Sequence, residues 1–144
     1  MRTGNTNILI SVSPRFAEKI YTGEKTVEVR SRAPVYYSRG IGRDSLRIVF
    51  YEHSPVMRIT GTAVSRGFRR MFGRDADLSG TCMERSEFES YARGRTLYGF
   101  ELEDARRFET PLEISVAGYT VPPAAFYILS DEKTDDIISK GATA

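Results

Sequence analysis

Hydrophobic and polar positions alternate along several short stretches of the chain, with the period of two that is typical of β-strands. The clearest stretch is residues 26–30, where Val27 and Val29 point to one face and polar side chains point to the other. Strand-like patterns recur in six further stretches: residues 7–13, 46–53, 56–68, 96–102, 108–114 and 125–129. The pattern therefore predicts a strand-rich domain.

Two stretches have helical spacing instead. The first begins after Ser13, which can cap a helix, and ends at Gly23, which can adopt the left-handed conformation of a helix C-terminus. The second covers residues 84–93, where Phe88 and Tyr91 lie three positions apart. Short helices inserted among many short strands predict a mixed α+β, mainly β fold, a small and partly closed β-barrel with two or three short helices.

The length of 144 residues predicts one domain. We expect residues 1–130 to form it and residues 131–144, which are acidic and then small and polar, to be a flexible C-terminal tail. Residues 33–45 predict a loop. Residues 69–83 are polar and contain glycine, so they predict a mobile excursion.

Composition narrows the class of protein. Hydrophobic residues make up 40% of the chain and charged residues 28%, which excludes a wholly disordered or collagen-like chain. With one cysteine, Cys82, and one histidine, His53, neither a disulfide framework nor a Cys/His zinc site can form. We therefore expect no metal and no cofactor. The sequence predicts neither a membrane helix nor a signal peptide, so we expect a cytoplasmic protein without a membrane partner.

The net charge of +2 hides an asymmetry along the chain. Residues 1–74 contain 14 Lys and Arg against 5 Asp and Glu, a balance of +9, whereas residues 75–144 contain 7 against 14, a balance of −7. Almost all of the basic residues in the first half are arginines, which suit phosphates and base edges. Two interpretations stay open: a face that binds a polyanion, or two halves that interdigitate and pair their charges.

A row of polar side chains follows the first predicted helix. Thr26, Glu28, Arg30 and Arg32 fall on one face of a predicted strand, with Lys25 at its mouth. Such a row is costly unless it is solvated, paired or bound to a ligand, so the segment is a candidate site. Lys25 and Glu28 could act as an acid/base pair if the lysine pKa is lowered. Alternatively, they form an ion pair that organises a cleft and contacts a ligand.

Aromatic residues lie between basic ones in two places. Tyr36 and Tyr37 lie between Arg32 and Arg39, an arrangement expected at a rim that stacks the bases of a single strand. Alternatively, one of these tyrosines packs on the barrel. Residues 67–74 form a second basic and aromatic segment, which is either a flap or partner-binding loop or a short packed helix with a solvated arginine face.

The pattern Gly-Glu-Lys-Thr-Val-Glu-x-Arg over residues 23–30, after a helix, resembles the ASCH domain (activating signal cointegrator homology) of the PUA-like superfamily. Further segments resemble that family in the same order: residues 49–56, 59–63, 86–94, 97–102, 108–112 and 122–127. The resemblance covers about residues 8–130. It implies a PUA-like β-barrel with a cleft beside the glycine-lysine motif, proposed to hold RNA.

The resemblance leaves the activity open, since some family members only bind RNA, one branch hydrolyses N4-acetylcytidine and one relative is a ribonuclease. Lys25 matches the catalytic lysine of the hydrolase branch. The branch's threonine falls three positions later, where this chain has Glu28, and Thr26 is on a neighbouring position. An enzyme would use Lys25, Glu28 and Thr26 as its candidate catalytic residues.

We therefore expect an RNA-binding module whose partner is RNA or another single-stranded nucleic acid, with a modified nucleoside as a further candidate ligand. The candidate binding residues are Lys25, Arg30, Arg32, Tyr36, Tyr37 and Arg39. The first alternative is a hydrolase in the same cleft, either an N4-acetylcytidine amidohydrolase-like deacylase or a ribonuclease. The second alternative is a protein-interaction domain in transcriptional control.

Overall fold

One six-stranded sheet forms the centre of the fold. The computed structural model describes residues 6–34 and 45–142. In chain order its elements are β1 (Thr6–Val12), α1 (Pro14–Thr22), β2 (Val27–Arg30), β3 (Leu46–Glu52), β4 (Arg58–Met71), α2 (Arg85–Ala92), β5 (Leu97–Leu112), a 3-10 helix (Ile114–Ala117), β6 (Tyr127–Leu129) and α3 (Asp131–Ala142).

The strands lie in the order β2-β5-β4-β3-β1-β6. β1 and β3 are parallel, and the other neighbouring pairs are antiparallel. The crossover that parallel pairing requires contains α1 and β2, and Lys25 lies in the turn between these two elements. The predicted class, mainly β with short helices, is confirmed. The sheet is open, however, because its short edge strands β2 and β6 do not pair with each other in the described ranges.

Local signals at both ends define α1. The Ser13 side-chain oxygen accepts a hydrogen bond from the Phe16 backbone N–H at 3.1 Å, which satisfies a free donor of the first turn. Pro14 occupies the first turn, and Gly23 ends the helix with a φ of 86°. Ala17 and Ile20 are the buried residues of α1, so the helix packs one face on the sheet.

The long antiparallel pair β4–β5 differs from the prediction. Residues 96–102 and 108–114 were expected as two strands, but Leu97–Leu112 is continuous. Register shifts along this pair absorb the irregularity. Residues 69–71, expected in a mobile excursion, continue β4, because they pair with residues 97–99 of β5. Residues 67–71 are therefore neither a flap nor a helix.

The expected flexible tail is wrong for residues 131–142, which form α3. Thr134 and Ile137 are fully buried, and Ile137 joins the core on one face of the sheet. Gly141 lies so close to the Phe108 ring that an added Cβ would be 2.3 Å from a ring carbon. The buried residues Thr134, Ile137 and Gly141 lie on one face of α3, and that face docks the helix although most of its other residues are polar.

Both faces of the sheet are covered. One face packs beneath α1, where the buried residues are Ile8, Ile10, Val12, Ala17, Ile20, Leu46, Ile48, Phe50, Ala63 and Phe100. A second cluster contains Ile137 of α3, and a third joins α2 to β2. Within residues 6–34 and 45–142, no helix is long and apolar enough to cross a membrane.

Candidate functional site

Lys25 is buried where the chain passes from α1 into β2. Its backbone N–H donates to the Lys19 carbonyl at 2.9 Å, which fixes the turn after Gly23. The side chain is only 1% exposed. Its Nζ donates to the Thr81 carbonyl at 2.5 Å and lies 4.3 Å from the centre of the Phe16 ring. The ammonium group is thus held by a carbonyl and an aromatic face.

Glu28 lies between two cations. Its Oε1 is 3.7 Å from Lys25 Nζ, and its Oε2 accepts a hydrogen bond from Arg30 Nη1 at 3.2 Å. The side chain is 5% exposed. Within the part of the chain that the structure describes, Oε1 is buried and accepts no hydrogen bond. A buried carboxylate oxygen in this state can accept a hydrogen bond from a ligand.

Burial lowers the pKa of Lys25 below its ordinary value of 10.5, because desolvation disfavours the charged ammonium. The carboxylate of Glu28 opposes this shift by favouring the charged form. The predicted ion pair between these residues is present, and it is buried. Because burial outweighs the carboxylate of Glu28, the Lys25 ammonium gives up its proton more readily than that of an exposed lysine.

Arg30 connects the site to the surrounding chain. Its guanidinium donates to the Ser11 carbonyl at 2.8 Å and to the Ala125 carbonyl at 3.1 Å, in addition to Glu28. Its side chain is 16% exposed. Arg30 therefore neutralises Glu28 and ties β2 to β1 and to the segment before β6, so its charge is already used within the fold.

These three charged side chains line a cavity of about 300 Å³. A fourth charged residue, Glu87 of α2, also lines it. The other lining residues are apolar, aromatic or polar: Ser11, Val12, Ser13, Phe16, Val29, His53, Met83 and Tyr91. A concave site with mostly apolar walls and a few convergent polar groups is the usual form of a small-ligand pocket.

The other predicted site residues lie elsewhere. Thr26 is exposed, precedes β2 and packs against Gly80, where an added Cβ would be 2.4 Å from its Oγ1. Arg32 is exposed and lines a neighbouring cavity of about 520 Å³. Tyr36, Tyr37 and Arg39 lie outside the described residues.

Part of the charge asymmetry between the two halves of the sequence is cancelled by ion pairs in the fold. Five arginines of the first half pair with carboxylates of the second half, as the interdigitating interpretation expects. These pairs are Arg15–Glu87, Arg47–Asp131, Arg47–Asp135, Arg58–Glu113, Arg66–Glu103, Arg69–Asp77 and Arg69–Glu101. The balance of +9 is therefore not by itself evidence of a basic face.

Sequence reasoning missed the apolar walls of the cavity beside Lys25 and Glu28. Phe16 belongs to the amphipathic pattern of α1, which indicated only core packing. Met83 and Tyr91 come from more than 50 residues further along the chain. No local pattern marks such residues, since only the tertiary fold brings α2 beside β2.

Comparisons with known proteins identify the fold. No family model matches the sequence, and no curated protein matches it. Among solved structures, the ASCH protein from Zymomonas mobilis has a TM-score of 0.72 and 25% sequence identity, over 92% of this chain and 94% of that one. A single-substitution variant of the same protein has a TM-score of 0.77 and 24% identity, over 93% and 95%. The chain therefore has the ASCH-domain fold, as the sequence resemblance implied.

A more distant similarity is to an RNA-bound structure. The YTH domain of a Zygosaccharomyces rouxii protein, in complex with N6-methyladenosine RNA, has a TM-score of 0.57 and 10% identity. The match covers 99% of this chain and 88% of that domain. At this identity the likeness concerns the fold alone.

Proposed function

We propose that this chain is an RNA-binding module that takes one unpaired nucleotide of a single strand into the cavity lined by Lys25, Glu28 and Arg30, which we call the nucleotide cavity. The observation that carries the proposal is the buried Oε1 of Glu28, which accepts no hydrogen bond in the described part of the chain. A base presents N–H groups on its Watson–Crick edge, and such a group would satisfy this oxygen.

The walls of the cavity suit a planar ring. Tyr91 supplies a partly exposed aromatic ring, and Met83 supplies a polarisable apolar contact. Phe16 adds apolar wall, since cations already lie over its ring. RNA modules commonly stack splayed bases on aromatic side chains while reading their edges by hydrogen bonds. The volume of about 300 Å³ is at the lower end of the range for small-ligand sites, which fits one nucleotide.

The fold comparison supports the same class of partner. The YTH domain with a similar fold was determined in complex with RNA that carries a modified adenosine. A modified nucleoside is accordingly a ligand to test beside unmodified RNA. Lys25 and Arg30 contribute mainly by pairing with Glu28 and fixing the position of its carboxylate, because both are committed to contacts within the fold.

The test is binding of a labelled ten-nucleotide single-stranded RNA, measured by fluorescence anisotropy at low salt. Tyr91→Ala removes a partly exposed ring from the cavity wall and should weaken binding by about 1–3 kcal/mol if that ring stacks a base. Phe72→Ala is the matched control, because Phe72 is an exposed aromatic residue outside the cavity. Undetectable binding by the unaltered protein, or equal effects of the two substitutions, would refute the proposal.

A hydrolase in the same cavity is the second candidate, favoured by the lowered pKa of Lys25 beside Glu28. A lysine with a lowered pKa can act as a base. Incubation with N4-acetylcytidine and with RNA should then give product, and Lys25→Met should abolish its formation. Retention of RNA without any product selects the binding module.

A further inference from the structure

A basic and aromatic row crosses three strands beside the nucleotide cavity. The β2–β5 register places Arg30 opposite Tyr98, and the β4–β5 register places Arg70 opposite the same tyrosine. Residues directly opposite on neighbouring strands project to the same face, so Tyr98 lies between two arginines. The Phe68 ring is 6.1 Å from the Tyr98 ring and 5.9 Å from the Arg70 guanidinium carbon.

This row borders a second cavity of about 520 Å³. Two aromatic side chains and one cation line it, together with small residues: Ser31, Arg32, Ala33, Tyr98, Ala125 and Phe126. The two cavities adjoin at Arg30, whose guanidinium lines the first and donates at 3.1 Å to the Ala125 carbonyl of the second. A single RNA strand that leaves the nucleotide cavity past Arg30 would therefore meet Tyr98 and Phe126 next.

Arg32 differs from Arg30 in how its charge is used. Arg30 is mostly buried and bonded to Glu28 and two carbonyls. Arg32 is exposed, and no carboxylate within residues 6–34 and 45–142 pairs with it. An exposed guanidinium at the rim of an aromatic cavity matches the two needs of a single RNA strand, phosphate contact and base stacking.

We propose that the second cavity is a stacking subsite for the neighbouring nucleotide of the same RNA strand. The base of that nucleotide stacks on Tyr98 or Phe126, and its phosphate pairs with Arg32. This inference rests on the proposed function, and it defines the ligand as a single strand of at least two unpaired nucleotides rather than a free nucleoside.

The experiment uses the ten-nucleotide single-stranded RNA and measures affinity across a salt series. Arg32→Ala should weaken binding and lower the magnitude of the log–log salt slope by about 0.7, the value for one phosphate contact on a single strand. Tyr98→Leu should weaken binding about tenfold with little change in slope, and Tyr98→Phe should retain binding. Arg106→Ala is the control, since Arg106 is exposed, is paired with Asp104 and lines a different cavity.

The outcomes separate this inference from the proposed function. If Tyr91→Ala weakens binding while Arg32→Ala and Tyr98→Leu behave like Arg106→Ala, the second subsite is refuted and the nucleotide cavity stands. If the unaltered protein binds no RNA, both proposals fall. Urea unfolding verifies each variant. Should Tyr98→Leu not fold, Arg32→Ala decides alone, because Arg32 is exposed and its loss removes no packing from the core.

Discussion

The buried Lys25–Glu28–Arg30 cluster allows a sharp prediction about stability. Glu28→Gln preserves the shape of the side chain but leaves two cations beside each other without their carboxylate. Removing one partner of a buried ion pair costs about 3–5 kcal/mol, because it leaves an uncompensated charge. Arg30 retains two carbonyl acceptors and is 16% exposed, so we expect a cost of about 3 kcal/mol in the free energy of unfolding.

Lys25→Met is the matched perturbation, and it should cost less. It removes one cation but leaves Glu28 paired with Arg30 at 3.2 Å. The main loss is the donor to the Thr81 carbonyl, and a buried acceptor left unsatisfied costs about 1–3 kcal/mol. Burying a methionine without a charge recovers part of that cost, so we expect a net loss of about 1 kcal/mol.

The double variant Lys25→Met/Glu28→Gln tests why Glu28→Gln should cost more stability than Lys25→Met. In the Lys25→Met background only one cation depends on Glu28, so Glu28→Gln should cost at least about 1 kcal/mol less than it does alone. Equilibrium unfolding in urea measures all four proteins without adding the salt that guanidinium would bring. The reasoning is refuted if Glu28→Gln costs no more than Lys25→Met, or if the two costs simply add.

Two further predictions concern pH and the C-terminal helix. Because burial lowers the pKa of Lys25 below 10.5, the unfolded chain binds more protons between that lowered value and 10.5, and the stability of the protein relative to Lys25→Met should rise with pH in this window. Urea titrations between about pH 7 and pH 10 measure this difference, and a flat or falling difference would contradict the burial argument. Ile137→Ala should destabilise the protein by about 2–5 kcal/mol, whereas Ile128→Ala, at a position 57% exposed, should change stability by less than about 0.5 kcal/mol. Equal thermal midpoints for these two variants would mean that α3 does not dock as described.

Features that depend on near neighbours in the chain could be predicted from the sequence. The cap residues Ser13 and Gly23 define α1, and the ion pair between Lys25 and Glu28 was one of the two interpretations that the segment after Gly23 allowed. The α+β, mainly β class followed from the alternation of hydrophobic and polar residues in the strands and from the helical spacing in two short stretches. Each of these signals is local, and local propensity agrees with the final fold at these positions.

Features that depend on distant partners could not be predicted. Residues 69–71 look polar and irregular, yet they are strand because β5 provides their hydrogen bonds. Ile137 and Ile138 are the large apolar residues of a mostly polar segment, and only the apolar surface beside Phe108 makes them docking residues. Likewise, a count of charges along the chain cannot show that Arg47 meets Asp131 and Asp135 of α3.

The central claim, that an unpaired nucleotide enters the cavity above Glu28, is tested most directly by mapping the bound RNA on the protein. The measurement is a titration of the isotope-labelled chain with the ten-nucleotide single-stranded RNA, followed by amide chemical shifts. The account predicts the largest changes at residues that line the nucleotide cavity, including Ser11, Phe16, Met83 and Tyr91. Changes centred instead on the cavity beside Phe108 and Ile138, or no changes at all, would contradict it.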